Sequence, residues 1–153
     1  MASWHPPSPV PDGQPHGACG FCVTDAGEIV LISTDNVLWD FPAGRPQAGE
    51  DWEETLHREM LEEACAVVRS ARLIGFSCGR KWEAEVAGPF LVRSIWLAQV
   101  DLLEWDPQFE IRYRRLAPPT QAVGLVLPEF EPLWTRAFFE AGIVRTDPEQ
   151  GQN

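Results

Sequence analysis

The most constraining segment of the chain runs from residue 44 to residue 66, where an amphipathic helical pattern holds a carboxylate in its apolar stripe. From Trp52 onward, apolar residues recur every three or four positions, as they do on one face of an α-helix. Glu63 falls inside that stripe, and Glu59 and Glu62 lie along the same edge. Because burying an unpaired carboxylate is costly, packing alone does not account for Glu63. The pattern therefore predicts a helix that holds a divalent cation.

The alternative is an ordinary solvated helix with Glu–Arg ion pairs. The pairs Glu54–Arg58 and Arg58–Glu62 are spaced i, i+4 and would contribute about 0.2–0.5 kcal/mol each. Adjacent carboxylates argue against this, because two of them about 4 Å apart repel by on the order of 4 kcal/mol at an effective dielectric constant of about 20. Arg58 relieves only part of that repulsion. Mg²⁺ would relieve most of it, since it takes one or two carboxylates and leaves its other positions to water and phosphate.

The charged residues of this segment also follow the spacing of a known motif. Gly44 is followed after five residues by Glu50, and after seven more by Arg-Glu-Met-Leu-Glu-Glu at 58–63. This pattern resembles the Nudix box, G-x5-E-x7-R-E-U-x-E-E-x-G-U, where U is a bulky aliphatic residue. Cys65 stands in place of the second glycine, and Ala66 in place of the last aliphatic residue. In the family that glycine ends the helix, so the departure concerns the C-terminus of the helix more than the chemistry.

The resemblance implies metal-assisted hydrolysis of a diphosphate bond, with Mg²⁺ as the metal and Mn²⁺ as a substitute. Water attacks phosphorus while the metal polarises the phosphoryl oxygens and lowers the pKa of bound water. The family pattern implies that Glu59 and Glu63 are the principal metal ligands, that Glu63 is also catalytic, and that Glu62 is a third ligand or a general base. It implies the following further roles: accessory metal ligand for Glu50, carbonyl ligand for Ala43, orienting cation for Arg58, and turn residue for Gly44.

Three residues outside the motif are weaker candidates. Glu110 follows the turn at 105–107, near an expected strand start, and is a candidate general base. A solvated strand residue is the simpler interpretation of Glu110. Arg80 and Lys81 lie in an expected loop, where they would either bind a substrate phosphate or form part of the surface.

The cysteines favour a structural role. Cys19 and Cys22 form a C-x-x-C pair, but Cys65 and Cys78 do not provide the second closely spaced pair that a zinc site needs. Redox C-x-x-C pairs usually open a helix, whereas this one lies in a β-rich run. Residues three apart on a strand face opposite sides. Small buried thiols are therefore favoured over a metal or redox site.

The order of segments predicts an α/β fold, and the resemblance implies a Nudix-type α/β/α sandwich with a mixed β-sheet and a loop–helix–loop Nudix box. A helix is expected from an N-cap at Asp51, with Glu54 completing a capping box. The expected strands are 17–25, 28–34, 37–43, 67–76, 89–103 and 109–116, with a loop at 77–81 and a second helix at 128–142. The expected organisation is a flexible proline-rich arm at 1–16, a Nudix hydrolase domain at 17–145 and a flexible tail at 146–153.

Composition narrows the class of substrate. A net charge of −11 argues against binding to long nucleic acid and favours a small nucleotide or nucleotide-like diphosphate that a metal bridges to an acidic site. Nucleotide sugars, dinucleotides and nucleoside triphosphates all fit. With no secretory pattern and no apolar run of about 20 residues, a cytoplasmic protein away from membranes is expected. Two alternatives stay open: a homodimer, and a catalytically inactive Nudix-fold module that senses a nucleotide or binds a partner.

Overall fold

The computed structural model describes residues 2–83, 86–145 and 147–148, leaving aside the side chains of residues 81–83 and 87. Within this part the chain forms one mixed β-sheet with helices packed on it. The strands are β1 (Ala2–His5), β2 (Gln14–Val23), β3 (Ile29–Ser33), β4 (Ala43–Gly44), β5 (Ala66–Glu83), β6 (Val86–Leu102) and β7 (Tyr113–Ala117). The helices are α1 (Trp52–Ala64), α2 (Pro119–Leu125) and α3 (Glu131–Glu140), with a 3-10 turn at Pro128–Phe130.

The sheet has the strand order β1-β5-β6-β2-β3-β7, and β4 pairs with β2. The pairing of β2 with β6 is parallel, and the other strand pairs are antiparallel. The long strands β5 and β6 form an antiparallel pair within this sheet. Helix α1 packs on one face of the sheet, and α2 and α3 pack on the other. This arrangement confirms the predicted α/β/α sandwich with a mixed sheet.

Strand β2 lies at the centre and is buried on both faces. Cys19 and Phe21 belong to the core beneath α3, whereas Ala18 and Cys22 belong to the core beneath α1. Phe21 anchors an aromatic cluster, with its ring centroid 4.7 Å from that of Phe138. The period-2 alternation of a strand thus separates the two cysteines, as the sequence predicts. All four cysteines of the chain are buried and free.

Helix α1 begins and ends by different means. The Asp51 carboxylate accepts a hydrogen bond from the Glu54 backbone amide, and the Glu54 carboxylate accepts one from the Asp51 backbone amide, which confirms the capping box. The helix ends at Ala64, and Cys65 adopts the left-handed conformation with φ 50°. Arg114 donates to the carbonyl of Ala64 at 2.9 Å, so a side chain from β7 satisfies the helix end. Cys65 therefore terminates the helix at the position where the family has glycine.

Several expected elements differ from the structure. Residues 77–81 are not a loop, because β5 continues through them in its pairing with β6. The segment 37–43 forms isolated bridges at Trp39 and Asp40 in place of a full strand. The last strand starts at Tyr113, the helix expected at 128–142 is a 3-10 turn followed by α3, and α2 was not expected.

The chain ends also bear on the sequence expectations. Residues 2–5, expected in a flexible arm, form β1 and pair with residues 76–79 of β5. In the expected tail, residues 146 and 149–153 lie outside the described residues. No helix in the described part of the chain is long and apolar enough to cross a membrane.

Candidate active site

Arg58 is the centre of the charged cluster on α1. Its Nε donates to Glu50 Oε2 at 2.7 Å, and its Nη2 donates to Glu50 Oε1 at 2.9 Å. Its Nη1 donates to Glu59 Oε1 at 2.7 Å and to Glu62 Oε2 at 3.1 Å. One guanidinium group therefore holds three carboxylates, as expected for the planar, multi-donor side chain of arginine.

Glu50 anchors that arginine to the loop before α1. Besides its two bonds to Arg58, it accepts a hydrogen bond from the Gln47 backbone at 2.8 Å and one from the Thr55 hydroxyl at 3.1 Å. The bond to Arg58 and the Gln47 amide lower the pKa of Glu50 to about 2. Because its oxygens accept these bonds, Glu50 is placed to position Arg58. Its role as an accessory metal ligand stays a prediction.

Glu63 occupies a different environment on the same helix. Its Oε1 accepts a hydrogen bond from the Ala43 backbone at 2.8 Å, which joins α1 to the loop that leads into it. Burial raises the pKa of Glu63 to about 7, and the negative charges of Glu59, Asp40 and Glu110 add to that effect. The charges of several carboxylates thus act on one partly buried carboxyl group that accepts no hydrogen bond from Arg58. Such a place favours a cation.

Gly44 lets the loop approach this helix closely. A Cβ at Gly44 would lie 2.0 Å from Cδ of Glu59, a distance that real atoms do not tolerate. Glu59 is largely buried there, and desolvation raises its pKa. The turn role predicted for Gly44 therefore has a steric reason: the residue makes room for the carboxylate expected to hold the metal.

Asp40 and Arg93 lie near this site, but neither is a fixed position of the Nudix box, so the motif does not predict them. The negative charge of Asp40 helps to raise the pKa of Glu63, and desolvation raises the pKa of Asp40 itself. Arg93 counters that shift in Asp40. Both line a cleft of about 370 Å³ that also contains Glu63 and Ala43. The only sequence hint for Asp40 is its place three residues before Ala43.

The candidates outside the motif fall in different places. Glu110 lies in the turn before β7, and its charge acts on Glu63, so the fold brings it near the box. Arg80 lies on β5 and not in a loop; its Nη1 donates to the Gly88 carbonyl at 3.2 Å. The side chain of Lys81 lies outside the described residues, so its substrate role stays a prediction.

The residues present fit a hard divalent cation. Their donors are carboxylate oxygens with a nearby backbone carbonyl, which is the ligand set of Mg²⁺. Among the described residues, no three acidic, histidine or cysteine side chains converge on one point, because Arg58 draws Glu59 and Glu62 towards itself. Mg²⁺ needs only one or two protein carboxylates, so Glu63 with one rotated neighbour is a sufficient set.

Fold and site together define an α/β protein with a cluster of carboxylates on a loop–helix segment beside the sheet. A family model for the NUDIX domain matches residues 14–133, and the chain belongs to the Nudix family. The predicted family is thereby confirmed. No curated protein matches the chain significantly.

Solved structures agree with this fold. A mutant of the Bacillus subtilis pyrophosphohydrolase BsRppH is 20% identical with a TM-score of 0.69, covering 92% of this chain and 91% of that chain. The NUDIX domain of Shewanella oneidensis NrtR, complexed with ADP ribose, is 15% identical with a TM-score of 0.64, covering 85% and 89%. A NUDIX hydrolase from Nitrosomonas europaea is 17% identical with a TM-score of 0.63, covering 84% and 89%.

Proposed function

We propose that the protein is a Mg²⁺-dependent hydrolase of the diphosphate bond in a small nucleoside diphosphate linked to another moiety. One observation carries the proposal: Glu63 is held by the Ala43 amide, partly buried, and surrounded by the charges of Glu59, Asp40 and Glu110. A substrate diphosphate would be repelled by this group of carboxylates. A divalent cation between them removes the repulsion on both sides.

The proposed roles are those that the Nudix-box pattern implies. Glu59 and Glu63 hold the metal, with Glu62 as a third ligand or general base and the Ala43 carbonyl as a further ligand. Arg58 orients Glu59 and Glu62 through its hydrogen bonds. When bound, Mg²⁺ supplies charge neutralisation and an activated water.

Glu110 is the proposed alternative source of the general base. It is exposed in the turn before β7, and its charge is felt at Glu63. An exposed carboxylate within electrostatic reach of the metal carboxylates is suited to accept a proton from the attacking water. If Glu110 is the base, Glu110→Gln should lower kcat more than Glu62→Gln does. The reverse order would remove Glu110 from that role and leave Glu62 as the third ligand or the general base.

Structural relatives support the substrate class. BsRppH is described as a pyrophosphohydrolase, and the NrtR domain is described in complex with ADP ribose, a nucleoside diphosphate joined to a sugar. A nucleotide sugar, a dinucleotide or a nucleoside triphosphate each presents the diphosphate that the carboxylate site requires. The net charge of −11 is compatible with such a small substrate only when a metal is present.

The test is a hydrolysis panel of nucleoside triphosphates, nucleotide sugars, dinucleotides and ADP-ribose with Mg²⁺, with release of phosphate or mononucleotide as the readout. We expect turnover of at least one compound, and a loss of about 10²–10³-fold for Glu63→Gln, as for other groups that position transition-state charge. Glu53→Gln is the matched control, because Glu53 is exposed in the first turn of α1. Full activity of Glu63→Gln would refute the assignment of the metal ligands.

Removal of the metal gives a second readout. EDTA should abolish turnover, and Mg²⁺ or Mn²⁺ should restore it. Among the described side chains, Arg58 is the only one that donates hydrogen bonds to the carboxylates of Glu59 and Glu62, so without the metal it alone offsets their negative charge. Saturable nucleotide binding without any turnover across the panel would support the alternative, a Nudix-fold sensing module.

A further inference from the structure

A second pocket lies beside the carboxylate site, and its charge is opposite to that of the chain. It measures about 500 Å³, and the residues that line it include Arg45, Arg80 and Arg93, together with His16 and Phe130. The whole chain has 12 Lys and Arg residues against 23 Asp and Glu residues, so three arginines in one pocket are a marked local excess. We call this the arginine pocket.

The sheet register assembles the arginine pocket from distant parts of the sequence. Ser77 of β5 pairs with Arg93 of β6, so the two lie side by side on the sheet. The register of β2 shifts between Pro15 and Gly17, which makes His16 the extra residue of a β-bulge. Bulges re-aim a side chain out of the regular alternation, and here His16 reaches the pocket.

The arginines of this pocket form no ion pair with a described carboxylate, although the charge of Arg93 acts on Asp40 in the neighbouring cleft. Every residue that lines it is neutral or basic, and the ion pairs formed by described side chains involve other arginines. Arg80 is nonetheless held in place, by the Gly88 carbonyl and by the ring of Phe90 5.7 Å from its Cζ. A fixed guanidinium group without a carboxylate is prepared to bind an external anion.

Arg93 connects this pocket to the carboxylate site. It lines the arginine pocket and also lines the cleft that contains Glu63 and Ala43. Arg45 is the residue directly after Gly44, and its carbonyl accepts a hydrogen bond from Arg58 at 2.9 Å. The two pockets therefore adjoin at Arg93. If a substrate diphosphate is bound at the carboxylates, the group attached to one of its ends would extend past Arg93 into the arginine pocket.

We propose that the arginine pocket binds the moiety on the far side of the scissile diphosphate, and that this moiety is itself phosphorylated. A neutral sugar would leave several guanidinium groups without a partner, whereas a phosphate accepts bidentate hydrogen bonds from each of them. A volume of about 500 Å³ accommodates more than a single phosphate, in keeping with a phosphorylated sugar or nucleotide. This inference names a substrate class within the proposed function, and it rests on that function.

The first experiment measures binding of inorganic tripolyphosphate by calorimetry in the presence of EDTA, where the carboxylates repel the ligand and only the arginines attract it. We expect wild-type protein to bind, and Arg93→Gln to weaken binding about tenfold or more, as loss of a charged hydrogen-bond donor does. Arg69→Gln is the matched control. It removes the same charge from an exposed arginine that pairs with Asp25 and Asp101 instead.

Arg80→Gln is a second variant at an exposed position, so that a folding defect of Arg93→Gln does not decide the result. It too should weaken tripolyphosphate binding. Absence of binding by the wild-type protein, or equal binding by Arg93→Gln, Arg80→Gln and Arg69→Gln, would overturn the inference. Hydrolysis of the panel would be unaffected by that outcome. Binding as expected, together with no hydrolysis of any compound, would instead refute the proposed function.

The second experiment uses substrate pairs that differ by one phosphate: NADPH with NADH, and coenzyme A with its dephosphorylated form. We expect the phosphorylated member of at least one pair to have a kcat/KM about tenfold higher or more, the scale of one charged hydrogen bond. Arg93→Gln should remove that preference mainly through KM, and Arg69→Gln should keep it. Equal kcat/KM within both pairs, alongside turnover of other compounds, would contradict the phosphorylated class and leave the hydrolase intact.

Discussion

At the scale of single residues, Gly44 is the position where the loop backbone lies against the side chain of Glu59. Gly44→Ala would place a Cβ 2.0 Å from Cδ of Glu59, so either the loop or the carboxylate must shift. We expect a loss of activity of about 10²-fold, since displacements of about 1 Å have such effects on positioned groups. Steady-state kinetics in Mg²⁺ and a thermal melt measure the two consequences. Unchanged kinetics would show that Glu59 is not held where the reaction needs it.

A second glycine provides the matched control for that substitution. Gly124 lies within α2, and a Cβ there would meet nothing within 4 Å. Alanine is favoured over glycine in a helix by about 1 kcal/mol, so Gly124→Ala should raise the melting temperature slightly and leave the kinetics unchanged. The two Gly→Ala changes should therefore differ in the sign of their effect on stability.

At position 58, the contribution of the positive charge can be separated from that of the hydrogen-bond geometry of arginine. Arg58→Lys keeps the positive charge, but a single ammonium group has three donors and does not span Glu50, Glu59 and Glu62 together. We expect a lower kcat, and a Mn²⁺ affinity in titration reduced about tenfold, on the scale found when partners that orient metal ligands are lost. Arg69→Lys, at an exposed ion pair, should change neither quantity. Wild-type behaviour of Arg58→Lys would reduce its role to simple charge balance.

At the scale of elements, the ends of α1 show what local sequence determines. The N-terminus is local: Asp51 and Glu54 form the capping box, and sequence spacing alone predicts it. The C-terminus depends on Arg114, which is 50 residues away in sequence from Ala64 and donates to its carbonyl. Neither the helical periodicity nor the motif spacing predicts a contact between residues so far apart. How the helix ends without the box glycine is therefore not predictable from the motif.

Arg114 should therefore stabilise the helix end on which Glu62 and Glu63 lie. It donates to the carbonyls of Ala64 and Leu103, at 2.9 and 3.0 Å. Arg114→Met leaves those groups without a donor and should lower the free energy of unfolding by about 1–3 kcal/mol. Urea denaturation measures this change. Arg112→Met, at an exposed neighbour on the same segment, should have a much smaller effect.

The misplaced elements share one physical cause. Residues 77–81 contain Gly79 and two basic residues, which locally favour a loop, yet pairing with β6 extends the strand through them. The segment 37–43 has β-type residues but gains only isolated bridges, since Asp40 pairs with Ile32 and Trp39 with Val126. Tertiary pairing overrides local propensity in both directions. The site divides in the same way: the box residues follow from spacing, whereas Asp40 and Arg93 join it through the sheet.

At the scale of the whole molecule, one central strand separates two cores, and ionisable thiols lie in both. Cys19 packs in the core beneath α3, and Cys22 packs in the core beneath α1 with its Sγ 3.2 Å from the Met60 sulfur. Burial raises the pKa of Cys22 from 9.0 to about 12, and it raises the pKa of Cys19 as well. Both thiols stay protonated in the folded chain at a pH where the unfolded chain has lost those protons.

That difference predicts a fall in stability at alkaline pH. Above pH 9.0 the unfolded state releases the Cys22 proton while the folded state retains it until about pH 12, so the unfolded state binds fewer protons and the free energy of unfolding decreases. Below pH 9.0 both states keep the proton, and this contribution to stability is complete. Each such thiol adds a slope of about −1.4 kcal/mol per pH unit within that window.

Cys22→Ala tests this assignment by its slope and not by its absolute stability. The variant loses packing against Met60 at every pH, so its unfolding free energy is lower throughout. Its decline between about pH 9 and pH 11 should be shallower than that of the wild type by about 1.4 kcal/mol per pH unit, as urea denaturation at several pH values would show. Parallel declines would mean that the Cys22 thiol is exposed to solvent, and the two-sided burial of β2 would then be wrong at its centre.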